Sequence, residues 1–142
     1  ALRGAGVEDL LNVLYGAMPE GPLLFPEELL TDYPRKLAIA DTIREQYFHL
    51  LHSEIPHQIA VWVESIGESD AQWNIRALVY VNKPSQKPIV LGKKGKLIKR
   101  VKERAAAEIA QAYEVSVKLD LWVKVEPRWL ENHWILKRLG LT

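Results

Sequence analysis

The segment between Val115 and Val125 alternates apolar with polar or aromatic residues without a break, and it constrains the fold more than any other feature of the chain. A period of two is typical of a β-strand that buries one face. Residues 59–63 and 75–81 show the same alternation, and Gly67-Glu68-Ser69-Asp70 between them predicts a hairpin. The chain is therefore expected to contain a three-stranded sheet whose buried face needs a covering layer.

Helical spacing predicts that covering layer. We expect a short amphipathic helix over residues 7–17, a second helix that begins near residues 32–34, with Asp32 as its cap, and ends at Pro56, a long helix over residues 96–113, and a last helix over residues 127–138 terminated by Gly140. The apolar positions of the two central helices are Ile39, Ile43, Tyr47, Leu50 and Leu51 in one, and Ile98, Val101, Ala105, Ile109 and Ala112 in the other. With a short helix before residue 92, the order is α-α-β-β-α-α-β-α, an α+β fold.

Composition limits the classes of site that the chain can form. It has 142 residues and no cysteine, which excludes disulfides, thiolate zinc sites and cysteine nucleophiles. No apolar run approaches the ~20 residues of a membrane-spanning helix. The start, Ala1-Leu2-Arg3-Gly4, is not a signal peptide. We expect a fragment divided into a helical segment (1–18), a linker rich in proline and glycine (19–31) and one domain (32–142).

Positive charge is concentrated in one window. The net charge of the chain is +1, but residues 83–104 contain nine lysines and arginines against a single acid, Glu103. An excess of +8 in an otherwise acidic chain is typical of a protein whose partner is a polyanion. A solvated basic helix face would carry the same charge, so charge alone does not separate the two interpretations.

The basic window contains the motif Gly92-Lys93-Lys94-Gly95, expected after a strand and before the long amphipathic helix. Two glycines three residues apart allow a sharp turn and a close approach of a ligand to the backbone. Free N–H groups at a helix start favour anions, and the lysines add charge that does not read base identity. The motif predicts a KH-type clamp on about four nucleotides of single-stranded nucleic acid. A helix–helix turn whose lysines merely face water is the alternative.

Several segments resemble the Era family of GTPases. Residues 89–99 resemble the KH signature of that family, and residues 119–125, with the sequence Leu-Asp-Leu-Trp-Val-Lys-Val, resemble the strand that follows it there. Further similar segments are residues 1–7, Phe25-Pro26-Glu27, Thr31-Asp32, Ile43-Arg44-Glu45, Glu54-Ile55-Pro56-His57, Trp129 and residues 136–141. The chain departs from the family at Lys102-Glu103-Arg104-Ala105-Ala106, where Gly-x-x-Ala-Arg is usual.

The resemblance implies a type II KH domain, with a mixed three-stranded sheet packed with helices, preceded by the last helix of a GTPase domain and a linker. It implies binding to the single-stranded 3′ end of 16S ribosomal RNA during assembly of the 30S subunit. GTP and Mg²⁺ would belong to a GTPase domain outside this chain, and no cofactor is expected in the chain itself. The resemblance also implies a cytoplasmic monomer, with peripheral association at the inner face of the cell membrane as a further possibility.

By the same resemblance, the loop residues hold the RNA backbone and their apolar neighbours shape the base groove. The predicted RNA-binding residues are Ile89, Leu91, Gly92, Lys93, Lys94, Gly95, Lys96, Ile98, Lys99 and Lys102. We expect the replacement of Gly92 and Gly95 by aspartate to abolish RNA binding and to leave the fold intact.

Three patterns imitate other kinds of site. Asn82-Lys83-Pro84-Ser85 lacks the aspartate of the guanine-reading N-K-x-D motif, and no G-x-x-x-x-G-K-[ST] occurs, so we do not expect this chain to hydrolyse GTP. His49 and His52 have a spacing that metals use but lack an obvious third ligand. Ser53 and His57 resemble parts of a catalytic triad without an oxyanion arrangement. No catalytic residue and no metal ligand is predicted.

Trp62, Leu78, Tyr80 and Trp122 fall on the second face of the predicted sheet. We expect the segment 129–139 to cover this face, with base stacking or docking of another domain as alternatives. Two rival functions stay open: docking of the basic window on an anionic membrane surface, and a KH module of a transcription factor or ribosomal protein.

Overall fold

The computed structural model describes residues 4–22, 33–51 and 55–140. The chain divides into two compact units, residues 1–32 and residues 33–142. The first unit contains helix α1 (Val7–Ala17), with the bounds that the apolar spacing predicts. The predicted Asp32 cap, most of the linker, and the side chains of His52 and Ser53 lie outside the described residues.

The second unit is built on a three-stranded sheet. Its strands are β1 (Ile59–Gly67), β2 (Gln72–Val81) and β3 (Ser116–Val125), in the order β1-β2-β3. Strand β1 pairs antiparallel with β2, as expected for a hairpin, whereas β2 pairs in parallel with β3. The predicted α+β fold with a mixed three-stranded sheet is confirmed, and β3 forms one edge of the sheet.

Two long helices cover one face of the sheet. Helix α2 (Arg35–Leu50) packs on β1, and helix α4 (Lys96–Tyr113) packs on β3 and on α2. The predicted apolar stripes largely form the core, which contains Ile39, Ile43 and Tyr47 of α2 and Val101, Ala105 and Ile109 of α4. The prediction was wrong for Ala112, which is exposed, because the buried stripe of an amphipathic helix is narrow and Tyr113 is the residue of the last turn of α4 that packs against the core.

The end of α2 also differs from the prediction. The helix ends at Leu50, and Leu51 is already extended (φ −106°, ψ 139°), several residues before Pro56. Proline disrupts a helix that continues through it, so Pro56 limits how far α2 can extend but does not prevent the helix from ending earlier. Residues Ile55–Gln58 form a separate 3-10 turn that leads into β1.

The terminal segment covers part of the second face of the sheet. Trp129, Ile135 and Leu139 pack on Ala60 and Tyr80 in a second buried cluster. The single helix predicted over residues 127–138 is two elements instead, a 3-10 turn (Trp129–Glu131) and helix α5 (His133–Arg138). Asn132 causes the break: its side-chain oxygen accepts hydrogen bonds from the N–H groups of Trp134 (3.1 Å) and Ile135 (3.4 Å) and so caps a new helix.

Across the described part of the chain, no helix combines the length and the apolar composition that a membrane span requires.

Candidate nucleic-acid interface

The motif Gly92-Lys93-Lys94-Gly95 forms the turn between helix α3 (Gln86–Leu91) and helix α4. The motif therefore follows a short helix, as the predicted order of elements has it, and does not follow a strand directly. It is a turn between two helices, which the sequence left as the alternative. Positive φ angles at Gly92 (73°), Lys94 (54°) and Gly95 (73°) reverse the chain within four residues. The side chains of Lys93 and Lys94 are exposed at the tip.

The two glycines have different structural roles. A Cβ atom on Gly92 would lie 2.5 Å from the Cβ of Leu97 and 2.9 Å from its backbone nitrogen, so only glycine fits at this position. Around Gly95, no atom lies within 4 Å of the position that a Cβ would take. Gly92 is thus needed to close the turn, whereas Gly95 leaves the outer side of the turn open to a ligand.

Part of the backbone of the turn is hydrogen-bonded within the protein. The N–H of Gly92 donates to the carbonyl of Pro88 (2.9 Å), that of Gly95 to the carbonyl of Gly92 (3.0 Å), and that of Lys96 to the carbonyl of Lys93. The N–H groups of Lys93 and Lys94 stand at the start of the 3-10 turn, where helical geometry provides no partner. These two amides are the backbone donors that a phosphate at the tip could use.

Helix α3 fixes one side of the turn. Val90 is buried in the main core, and the buried side chain of Gln86 connects two segments: its Nε2 donates to Oε1 of Gln58, while its Oε1 accepts the N–H of Lys83 at 2.8 Å. A buried side-chain amide whose nitrogen and oxygen are both hydrogen-bonded fixes the relative position of the segments it joins. Helix α3 is therefore connected to the 3-10 turn that precedes β1 and to the segment that follows β2.

The basic window remains largely unpaired. Of its nine cations, Lys99 lies 3.8 Å from Glu103 and Lys102 lies 3.6 Å from Asp120, and the other seven have no ion pair among the described residues. Both observed pairs are solvent-exposed, and such pairs neutralise their charges only weakly. The positive potential around the turn is therefore available to an external anion.

A groove of about 450 Å³ lies along the first turns of α4. Helix α4 contributes Ile98, Lys99, Lys102 and Glu103, and strand β3 contributes Leu121. Because β3 pairs only with β2, its backbone donors and acceptors on the other edge are not used by the sheet. The groove thus combines an apolar floor, two lysines, one glutamate and an unpaired strand edge.

The structure separates the ten predicted site residues into two groups. The turn residues 92–96 and the groove residues Ile98, Lys99 and Lys102 lie together along the start of α4. Ile89 is 44% exposed on α3 and Leu91 is half-buried, and neither of them lines the groove. The apolar floor of this groove is formed by Ile98 and Leu121, and the roles of Ile89 and Leu91 in RNA binding stay predictions.

Sequence reasoning missed Leu121 as a residue that lines the groove. Leu121 carries the period-two signal of a core residue and is in fact buried. It reaches the groove only because β3 is the edge strand, and strand order is not encoded in a local pattern.

Other candidate chemistry does not converge. His49 lies 3.8 Å from Glu45 on the surface of α2. Within residues 4–22, 33–51 and 55–140, no three His, Asp or Glu side chains form a group that could hold a metal. The hydroxyl of Tyr47 is buried without a hydrogen-bond partner, and burial raises its pKa.

Comparison with known proteins was made on the sequence and on the fold. A family profile described as "KH domain" matches residues 54–130. Two curated relatives named GTPase Era, from Geotalea uraniireducens and Carboxydothermus hydrogenoformans, are 44% and 41% identical over 141 and 144 residues. These alignments cover 99% and 100% of this chain and 48% of each relative. The chain thus spans about half the length of the curated relatives it matches.

Two solved structures are similar to the whole chain. One is Era in complex with MgGDPNP and nucleotides 1506–1542 of 16S ribosomal RNA, with a TM-score of 0.92 and 34% identity. The other is a variant of Aquifex aeolicus Era bound to GDP and AlF₄⁻, with a TM-score of 0.92 and 35% identity. Each match covers 99% of this chain and 48% of the other chain.

Proposed function

Because the chain belongs to the KH domain family, we propose that it is the RNA-binding domain of an Era-type GTPase and that it binds the single-stranded 3′ end of 16S ribosomal RNA during assembly of the 30S subunit. The observation that carries this proposal is the lysine-bearing turn at the start of α4, next to an open groove. A solved Era that resembles the whole chain is bound to nucleotides 1506–1542 of that RNA, which supports the choice of ligand.

The turn would hold the sugar–phosphate backbone. The N–H groups of Lys93 and Lys94 and the two exposed side chains form the donors, and the open space beside Gly95 gives a phosphate access to them. Such contacts position a strand without reading its sequence. If three or four phosphates are bound, log K falls with log[salt] with a slope of roughly −2 to −3.

The groove would hold the bases. Ile98 and Leu121 offer an apolar floor on which unstacked bases lie, while Lys99 and Lys102 flank it. The free edge of β3 presents backbone donors and acceptors to base edges. A single-stranded ligand therefore fits this groove better than a duplex does, because in a duplex the bases are stacked and paired.

The remainder of the protein is part of the same proposal. Relatives of about twice this length are named GTPase Era, so we infer that GTP and Mg²⁺ bind in a preceding domain and that α1 is its last helix. A cytoplasmic location follows from this role. Peripheral contact with the membrane and a monomeric state remain expectations from the family resemblance.

Titration of the chain with the RNA fragment 1506–1542 and with a shuffled RNA of equal length tests the proposal. We expect tighter binding of the authentic fragment and competition by its single-stranded part alone. Equal affinity for both RNAs would reduce the proposal to nonspecific RNA binding. Tighter binding to anionic vesicles than to either RNA, at the same salt concentration, would favour membrane docking and contradict it.

A further inference from the structure

The terminal segment leaves the outer face of β3 uncovered. The second buried cluster contains Ala60 of β1 and Tyr80 of β2 but, among the described residues, none of β3. Trp62 and Leu78 are partly buried against that cluster, whereas Trp122, the direct neighbour of Leu78 on β3, is 65% exposed. The expectation that residues 129–139 cover all four side chains was therefore wrong for Trp122.

The exposed indole of Trp122 has no aromatic or cationic partner in the described part of the chain. Arg138 lies 4.7 Å above the ring of Trp62, so that tryptophan is covered by a side chain of its own protein. A large, flat apolar surface on an edge strand is costly to leave in water. Its exposure points to a ligand with a flat, apolar face.

The charges around Trp122 favour an anionic ligand. Arg76 and Lys118 are exposed on the same face of the sheet and have no ion pair among the described residues. On β3, Asp120 and Lys124 flank Trp122 on this face, and each has an ion-pair partner, Lys102 at 3.6 Å and Glu126 at 3.1 Å. Such pairs neutralise their charges only weakly, so the excess of cations over acids on this face comes from Arg76 and Lys118. Unpaired cations and an exposed aromatic ring on one face of a sheet are the usual elements of a surface that binds single-stranded nucleic acid.

This face is continuous with the groove. Successive side chains of a strand point to opposite faces, so Leu121 reaches the groove while Trp122 lies just across the edge of the sheet. The ion pair between Lys102 of α4 and Asp120 of β3 spans the same edge. An RNA strand that leaves the groove therefore needs only to pass around the edge of β3 to reach the indole of Trp122.

We propose that the outer face of β3 is a second contact for the same RNA strand, in which a base stacks on Trp122 while Arg76 and Lys118 bind adjacent phosphates. This inference rests on the proposed function and extends it from a clamp of about four nucleotides to a longer path around the edge of the sheet. It predicts that affinity increases when the RNA becomes long enough to pass β3.

RNA length separates the two contacts. The ligands are single-stranded segments of the fragment 1506–1542. They increase in length from four nucleotides and are extended at either end. Fluorescence anisotropy gives the Kd of each for the 142-residue chain. We expect Trp122→Ala to leave the Kd of the shortest bound RNA unchanged and to raise the Kd of the longer RNAs by about 5- to 150-fold. Trp122→Phe retains an aromatic face and should restore most of the loss.

Trp134→Ala is the matched control, because Trp134 is also exposed (72%) but lies on α5. It should leave both Kd values unchanged. The inference is overturned if Trp122→Ala affects neither length, as expected for a surface that docks a protein, or if it weakens both lengths equally. Failure of the wild-type chain to bind any of these RNAs would instead contradict the proposed function itself, and this inference with it.

Discussion

Gly92 lies so close to Leu97 that a Cβ on the glycine would stand 2.5 Å from the Cβ of the leucine and 2.9 Å from its backbone nitrogen. This contact closes the turn between α3 and α4 and brings Lys93 and Lys94 to its tip. At Gly95 the corresponding space is empty. The two glycines of one motif therefore serve the fold and the ligand separately.

Substitution of the two glycines should separate stability from binding. Gly92→Ala combines a positive φ with an overlap against backbone atoms, so the free energy of unfolding should fall by about 2–4 kcal/mol. Gly95→Ala carries only the cost of the positive φ, about 1–2 kcal/mol. Urea unfolding followed by circular dichroism measures both losses. Equal losses would contradict the assignment of separate roles.

Aspartate should also act differently at the two glycines. The sequence alone predicts that both substitutions leave the fold intact, but the contact of Gly92 with Leu97 makes this true only of Gly95. Gly95→Asp should keep the fold and weaken RNA binding, since a carboxylate then faces the approaching phosphate. Gly92→Asp should disturb the turn itself, so its effect on RNA binding does not report on a ligand contact. A folded Gly95→Asp variant with wild-type affinity would show that the strand does not pass this side of the turn.

Lys93 should contribute one phosphate contact. Removal of that contact in Lys93→Ala should make the slope of log K against log[salt] less negative by about 0.7. Lys137→Ala is the control. Lys137 is an exposed cation on α5, more than 40 residues after the turn in the sequence, and its loss changes the net charge equally. A similar change of slope in both variants would mean that RNA senses net charge rather than the turn.

Tyr47 should tolerate loss of its hydroxyl group. The ring is fully buried and the hydroxyl has no partner among the described residues, and a buried unpaired polar group destabilises the folded state by about 1–3 kcal/mol. Tyr47→Phe should therefore leave the free energy of unfolding unchanged or raise it, whereas Tyr47→Ala should lower it by about 3–5 kcal/mol. A marked loss in Tyr47→Phe would reveal a hydrogen bond to this hydroxyl.

Gln86 should stabilise the turn from a distance. Gln86→Ala leaves the N–H of Lys83 and Oε1 of Gln58 without this partner, and each hydrogen bond lost costs about 0.5–1.5 kcal/mol. We expect lower stability and, because α3 supports the turn, weaker RNA binding. Gln111→Ala, on the exposed side of α4, is the control and should change neither quantity. Wild-type stability of Gln86→Ala would show that α3 is held by apolar packing alone.

Local periodicity was sufficient to predict most of the fold. The alternation of residues 115–125 marks β3, the spacing of Val101, Ala105 and Ile109 marks the buried face of α4, and both are found. Side-chain capping was harder to foresee: Asn132 divides the terminal segment because its side chain binds two amides. That depends on a hydrogen bond rather than on hydrophobicity.

The candidate site was predictable only in part. Glycine spacing and charge identify the turn, but the roles of Gly92 and Leu121 arise from contacts between elements. A Cβ on Gly92 would overlap with Leu97 because the chain reverses between these two residues, and the place of Leu121 in the groove depends on β3 being an edge strand. Residue spacing and charge alone show neither property.

We propose that Lys93 and Lys94 at the tip of the turn, with the groove along α4, form the contact with single-stranded RNA. The most direct measurement is a titration of the ¹⁵N-labelled chain with the single-stranded part of the fragment 1506–1542, followed by amide chemical shifts. We expect the largest shifts at Lys93, Lys94 and Gly95 and at Ile98 and Leu121. Shifts confined to α2 or α5, with the turn unchanged at saturating RNA, would contradict it.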